Sequence, residues 1–187
     1  TGHGVPGAFM SMIGTTLIKD ICLREGDKPP SSILRSLDIE LRSTLNQNIE
    51  VGKPNDGMDI VVCEIDLKTN YLRYASAMRP MIVYKNSDQI YIKGSRSSVG
   101  GHYDKADKIF EDQGLQLSKG DLIYMFSDGY PDQFGGSIGK KYKMVRLKNL
   151  LNDIHEKPME EQYNYVKSTF SLWKENYPQV DDVLFMG

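Results

Sequence analysis

Disulfides, membrane spans and a surplus of either charge are all missing from this sequence, and each absence narrows what it can be. Two cysteines in 187 residues exclude a disulfide framework by number. Cys22 falls in a helical apolar pattern and Cys63 inside a strand-like run, so both read as buried small apolar residues in a reducing compartment. No apolar run reaches the roughly 18 residues that a membrane helix needs. No charged, apolar, small-residue leader opens the chain, so a cytoplasmic location is expected. The 23 Lys and Arg against 25 Asp and Glu leave a net charge of -2, which provides no general attraction to nucleic acid or to an anionic membrane. The one basic cluster, Lys140, Lys141 and Lys143 with Arg146 and Lys148, reads as a solvated loop and helix face. No linker, internal repeat or low-complexity tract appears. One domain over residues 1–187 is therefore expected, large enough to bury roughly 70% of its unfolded surface. No Gly-Lys-Ser/Thr or Gly-x-Gly-x-x-Gly pattern follows a strand, which argues against a nucleotide phosphate loop.

What the chain does have is an apolar run that stops on a carboxylate. Leu122 to Phe126 are large and apolar, as in a strand buried on both faces, and Asp128-Gly129 supplies the turn that ends it. Asp181-Asp182 stands just before a second apolar run, Val183 to Met186. If the two runs are antiparallel neighbours, the acids meet at one sheet edge. Hard oxygen donors without cysteine or histidine suit magnesium or manganese. Spacing alone does not decide the matter, because Asp-Gly is a common turn and Asp-Asp before a strand is an ordinary solvated loop.

Along the chain, Thr1 to Gly7 packs three glycines and a proline into a loop, so the sequence reads as opening in mid-loop. Phe9, Met12, Ile13, Leu17 and Ile21 then recur at helical spacing from Ala8 to the stop at Gly26. The N-terminus of that helix would face an anion with free N–H groups. Ser31 or Ser32 is the expected cap of a second helix with the stripe Leu34, Leu37, Leu41 and Leu45. Ile60–Ile65, Tyr71–Ala75, Met81–Tyr84 and Gln89–Ile92 read as an antiparallel meander, and Ile109–Leu117 as a fifth strand. Tyr130–Lys143 reads as a long surface loop. A short helix on Leu147, Leu150, Leu151 and Ile154 follows. A last helix opens at Pro158 with the core stripe Met159, Tyr163, Val166, Phe170 and Trp173.

Thr1-Gly2-His3-Gly4-Val5-Pro6-Gly7-Ala8, with Ser127-Asp128-Gly129 and Asp181-Asp182-Val183 in the same order, resembles the SpoIIE-like branch of the PPM, or type 2C, metal-dependent serine/threonine protein phosphatases. The resemblance implies an α+β fold, an antiparallel β-sandwich flanked by helices, with two manganese or magnesium ions at one edge that activate a water. Asp128 and Asp181 match metal ligands of the family, and Asp182 matches a position that orients. His3 and Gly4 match the loop-supporting part of the family's Asp-x-Ser/Thr-Gly-His-Gly motif. The bridging aspartate of that motif would precede Thr1, together with the strands that carry it, so the fragment by itself is expected to be inactive. Asp59 is expected to flank the site, and Arg79 to meet a phosphate where relatives have an Ala-Gly-x-Asn-Pro type turn. The implied substrate is a phosphorylated protein, for instance a STAS-type anti-sigma-factor antagonist, with a sensory region upstream. The alternative is a pseudo-phosphatase that has lost its metals and binds a partner.

Overall fold

A computed structural model describes residues 4–47, 56–101 and 108–187; His3 lies outside them. The helices are α1 (Gly4–Glu25), α2 (Pro30–Thr44), α3 (Gly129–Asp132), α4 (Met144–Ile154) and α5 (Met159–Lys174). The strands are β1 (Gly57–Met58), β2 (Ile60–Asp66), β3 (Tyr71–Ala77), β4 (Met81–Lys85), β5 (Asp88–Ile92), β6 (Val99–Gly100), β7 (Gln113–Gln116), β8 (Leu122–Phe126), β9 (Phe134–Gly135), β10 (Lys140–Lys141) and β11 (Phe185–Met186). Two compact units result. One comprises the chain up to Pro80 with Ile92–Leu117, the other Met81–Tyr91 with Ser118–Gly187.

In the first unit, helix α1 begins at Gly4 rather than Ala8, because Pro6 is tolerated in a first turn where N–H groups lack partners anyway. Gly4 to Gly7, expected in a glycine loop, thus belong to the helix, and Gly4 sits at its head with a φ of +75°. Phe9 and Met12 are 58% and 68% exposed, whereas Met10, Gly14 and Ile21 are buried. Apolar residues lie on several sides of α1, so period alone does not choose the packed face. Gly14 chooses it: a β-carbon there would lie 2.2 Å from the Met58 Cε. Cys22, expected inside, is exposed. Cys63 is half-buried, and that burial pushes its thiol up to about 11.

Leu34, Leu37 and Leu41 of α2 are fully buried, as their spacing requires. The expected serine cap is replaced. Pro29 occupies the cap position, and the Asp112 carboxylate accepts from the Ser31 backbone N–H at 2.8 Å. Asp112 thereby satisfies an N-terminal donor, the part expected of Ser31 or Ser32, and its charge complements the positive end of the helix dipole.

The expected single meander is instead divided between two sheets. Strands β2, β3 and β7 form one, in the order β2-β3-β7, and β11-β8-β4-β5 form the other. Between β3 and β4 the chain turns sharply at Met78, whose φ is +60°, and Pro80 lacks a ladder N–H. The expected fifth strand is confined to β7, since Ile109 is 66% exposed and Phe110 is buried off the sheet.

The second unit holds a core of Ile82, Tyr84, Tyr124, Phe126, Leu147 and Leu151 with their neighbours. Here β8 is central, paired antiparallel with β4 on one side and β11 on the other. That position explains its unbroken apolar run. The expected stripe of α5 packs against this core at Val166, Phe170 and Trp173 but not at Met159 and Tyr163. Gln162 and Val166 are buried, Phe170 and Trp173 half-buried, and Met159 and Tyr163 exposed along an open groove of about 860 Å³. Gln162 takes the inner place because its amide oxygen accepts from the Tyr124 phenol at 2.5 Å and its amide nitrogen donates to the His155 and Lys157 carbonyls. A buried phenol needs such a partner.

Candidate active site

At the end of β8, register Phe126↔Phe185 places Ser127-Asp128-Gly129 beside the approach to β11. Three local features draw the acids together. The Ser127 hydroxyl donates to the Asp182 carbonyl at 2.8 Å and accepts the Leu184 N–H at 2.9 Å, while the Ser127 N–H donates to the Leu184 carbonyl at 3.0 Å. Gly129 removes a side chain where none fits. A β-carbon there would stand 2.3 Å from the Asp182 carbonyl oxygen and 3.3 Å from that of Asp181. The Asp181 carboxylate accepts its neighbour's backbone N–H, that of Asp182, at 2.8 Å, and the Gln179 amide donates to the Asp181 carbonyl at 2.9 Å.

Asp128 precedes α3, and its carbonyl accepts the Asp132 N–H at 2.9 Å. This short helix is anchored by Tyr130, buried, which donates to the Val166 carbonyl at 2.9 Å. Burial among aromatic rings raises the Tyr130 phenol well above its usual range, so it remains a donor. Asp128 and Asp182 are exposed and Asp181 half-buried. Two carboxylates on backbone pinned by a serine and a glycine can hold a hard cation or orient water.

The expected loop from Tyr130 to Lys143 is instead α3 followed by the β9–β10 hairpin, with Tyr130, Pro131, Gln133, Gly135 and Tyr142 buried. Of the expected site residues, Asp128, Asp181 and Asp182 come together in the second unit. Gly4, Asp59 and Arg79 belong to the first. Asp59 follows β1, and its carboxylate accepts from the Ser98 hydroxyl. Arg79 is half-buried in the turn after β3, where its N–H meets the Ala77 carbonyl at 2.6 Å. Sequence reasoning passed over Ser127 and Gly129 as positioning residues. A small hydroxyl and a glycine on either side of an acid at a strand end are the signal that was available.

A family model described as Stage II sporulation protein E (SpoIIE) matches residues 1–186. Among solved structures, the SiaA-PP2C domain of Pseudomonas aeruginosa is 27% identical with a TM-score of 0.87, over 99% of this chain and 70% of that one. The PP2C phosphatase domain of Bacillus subtilis SpoIIE, solved with a fragment of its regulatory domain, is 17% identical with a TM-score of 0.71, over 99% of this chain and 50% of that one. RsbX in complex with magnesium is 13% identical with a TM-score of 0.58, over 92% and 70%. No curated protein matches the sequence. Mixed helices and antiparallel sheets, a Ser-Asp-Gly at the end of the central strand and a family match over nearly the whole length agree: the chain belongs to the SpoIIE family and has the PP2C, or PPM, phosphatase fold.

Proposed function

We propose that this chain is the greater part of the phosphatase domain of a bacterial signalling protein, and that the intact domain hydrolyses phosphoserine or phosphothreonine in a protein substrate. The observation that supports the reading is the close approach of Gly129 to the Asp181 and Asp182 carbonyls, backbone against backbone, in a SpoIIE-family chain. Manganese or magnesium fits the donors, since carboxylate oxygens are hard ligands. Among the described residues no group of three or more His, Cys, Asp or Glu could hold a metal, so Asp128 and Asp181 would furnish part of a coordination shell. When bound, such an ion lowers the pKa of its water toward about 7 and offsets phosphoryl charge.

The chain's own residues do the positioning. Asp128 and Asp181 would hold the ion, and Asp182, tied through its carbonyl to Ser127, would orient. No side chain acts as a covalent nucleophile in this reading. Family membership supports a small phosphorylated STAS-type protein as the substrate.

The test is the aspartate series in the intact protein, with manganese. Asp128→Asn and Asp181→Asn should fold as wild type, lose manganese affinity by calorimetry and lose turnover of a phosphoserine peptide by orders of magnitude. Asp182→Asn should be much milder. Folded Asp128→Asn and Asp181→Asn proteins with wild-type turnover would overturn the assignment. Absence of manganese binding in the wild type would favour a partner-binding module instead.

A further inference from the structure

The hairpin after α3 is held more firmly than a connection requires. A β-carbon on Gly135 would fall 1.8 Å from the Trp173 carbonyl oxygen, and the Gly136 N–H donates to that same oxygen at 2.9 Å. Gly139, with a φ of +58°, lies against the Tyr177 ring. Tyr142 is buried, with its N–H on the Gln133 carbonyl at 2.9 Å. Lys143 adopts a φ of +74° and donates its N–H to the Pro131 carbonyl at 2.7 Å. Left-handed backbone in a residue other than glycine is strained, and it persists only where the surroundings impose it.

What this frame presents is charge of one sign. Lys140, Lys141, Lys143 and Arg146 fall within seven residues, in a chain whose net charge is -2. All four are exposed. Lys140 and Lys143 form no ion pair among the described residues. Phe134 and Ile138, 38% and 70% exposed, add apolar surface to the same hairpin. The hairpin is also coupled to the acids. Lys141 donates to the Asp132 carboxylate at 2.9 Å, and Asp132 closes the single turn that begins at Asp128. One helical turn is about 5.4 Å of rise.

We propose that the β9–β10 hairpin is the docking surface for the phosphoprotein substrate, taking an extended segment with acidic residues beside the phosphorylated side chain and an apolar residue against Phe134 and Ile138. The inference rests on the phosphatase reading above. A phosphoryl group adds a charge of about -1.5 to -2, and acidic neighbours add more, so Lys140 and Lys143, with Lys141 and Arg146 beside them, match the segment in sign. Rim charges of this kind set encounter and selectivity and weaken with salt.

The experiment uses the intact protein and short labelled phosphoserine peptides with acidic, neutral or lysine flanks. Affinity is read by fluorescence anisotropy and turnover is read separately. Wild type should bind the acidic peptide roughly tenfold more tightly than the neutral one at low salt, and the preference should shrink as salt rises. Lys140→Glu with Lys143→Glu should abolish that preference and favour the lysine-flanked peptide. Lys140→Glu alone, at an exposed strand position, should shift it part of the way and guards against a folding defect. The proposal is overturned if wild type does not discriminate, or if the variants keep the preference. It also falls if anionic vesicles or single-stranded RNA bind with the same dependence on these lysines. If the preference persists while no peptide is hydrolysed, the phosphatase reading fails and the docking surface stands. Hydrolysis without charge preference removes the docking surface alone.

Discussion

Gly129→Ala separates the position of the acids from their identity. The added β-carbon would stand 2.3 Å from the Asp182 carbonyl oxygen and 2.9 Å from its carbon. Comfortable contact begins about 1 Å further out. Neither side yields easily, because the Asp182 carbonyl is held by the Ser127 hydroxyl and α3 is pinned by the Tyr130 phenol on the Val166 carbonyl. Overpacking of this kind costs roughly 1–3 kcal/mol. Alanine also restricts the unfolded chain, which returns about 0.4–1 kcal/mol. The net loss of stability is therefore modest, while the Asp181–Asp182 backbone moves by a distance that matters. A misplacement near 1 Å can cost on the order of 10²-fold in rate. The assay pairs urea unfolding with manganese affinity and phosphopeptide turnover. Gly120→Ala is the control: at a φ of +97° with nothing within 4 Å, it should lose about 1–2 kcal/mol from backbone strain and keep its activity. Wild-type turnover and manganese affinity in Gly129→Ala, or an equal loss of turnover in Gly120→Ala, would refute the reasoning.

Two further expectations follow from the second unit. Trp173 donates its indole N–H to the Gln133 carbonyl at 2.9 Å and lies under the Arg146 guanidinium at 4.1 Å, but it is only half-buried. Trp173→Ala should therefore cost about 2–3 kcal/mol, below the full range for a buried tryptophan; a loss under about 1 kcal/mol in urea unfolding would contradict this packing. Burial pushes the Tyr124 phenol up to about 12. The folded state thus holds that proton more tightly than the unfolded chain, whose tyrosines titrate near about 10. Its contribution is complete below the unfolded value and is lost as pH rises through the folded one, so the urea midpoint should fall across that alkaline window. Tyr124→Phe should lose less over the same window, and an equally steep loss would count against the assignment.

How much of this protein was legible in its sequence depended on how local the cause was. Leu122 to Phe126 read as a buried strand because it is a central strand, and Leu34, Leu37 and Leu41 faced inward as their spacing demanded. Asn86 and Ser87, both at positive φ, make the turn between β4 and β5, in the gap left between the expected strands Met81–Tyr84 and Gln89–Ile92. Chain order likewise placed Asp128 at a strand end and Asp181 before its neighbour, which was enough to anticipate the meeting of the two runs. The remainder was settled by partners far along the chain. The cap of α2 comes from Asp112, 81 residues beyond Ser31. The packed face of α1 was set by Gly14 against Met58, and that of α5 by a phenol needing Gln162. Periodicity reports that a helix has an apolar side; where more than one side is apolar, only the neighbour selects it. Ser127 and Gly129 show the same division at the site. Their residue types are visible in the sequence, but the hydroxyl that bridges to Asp182 and Leu184, and the missing side chain that admits the Asp182 carbonyl, have a function only once β11 lies beside β8.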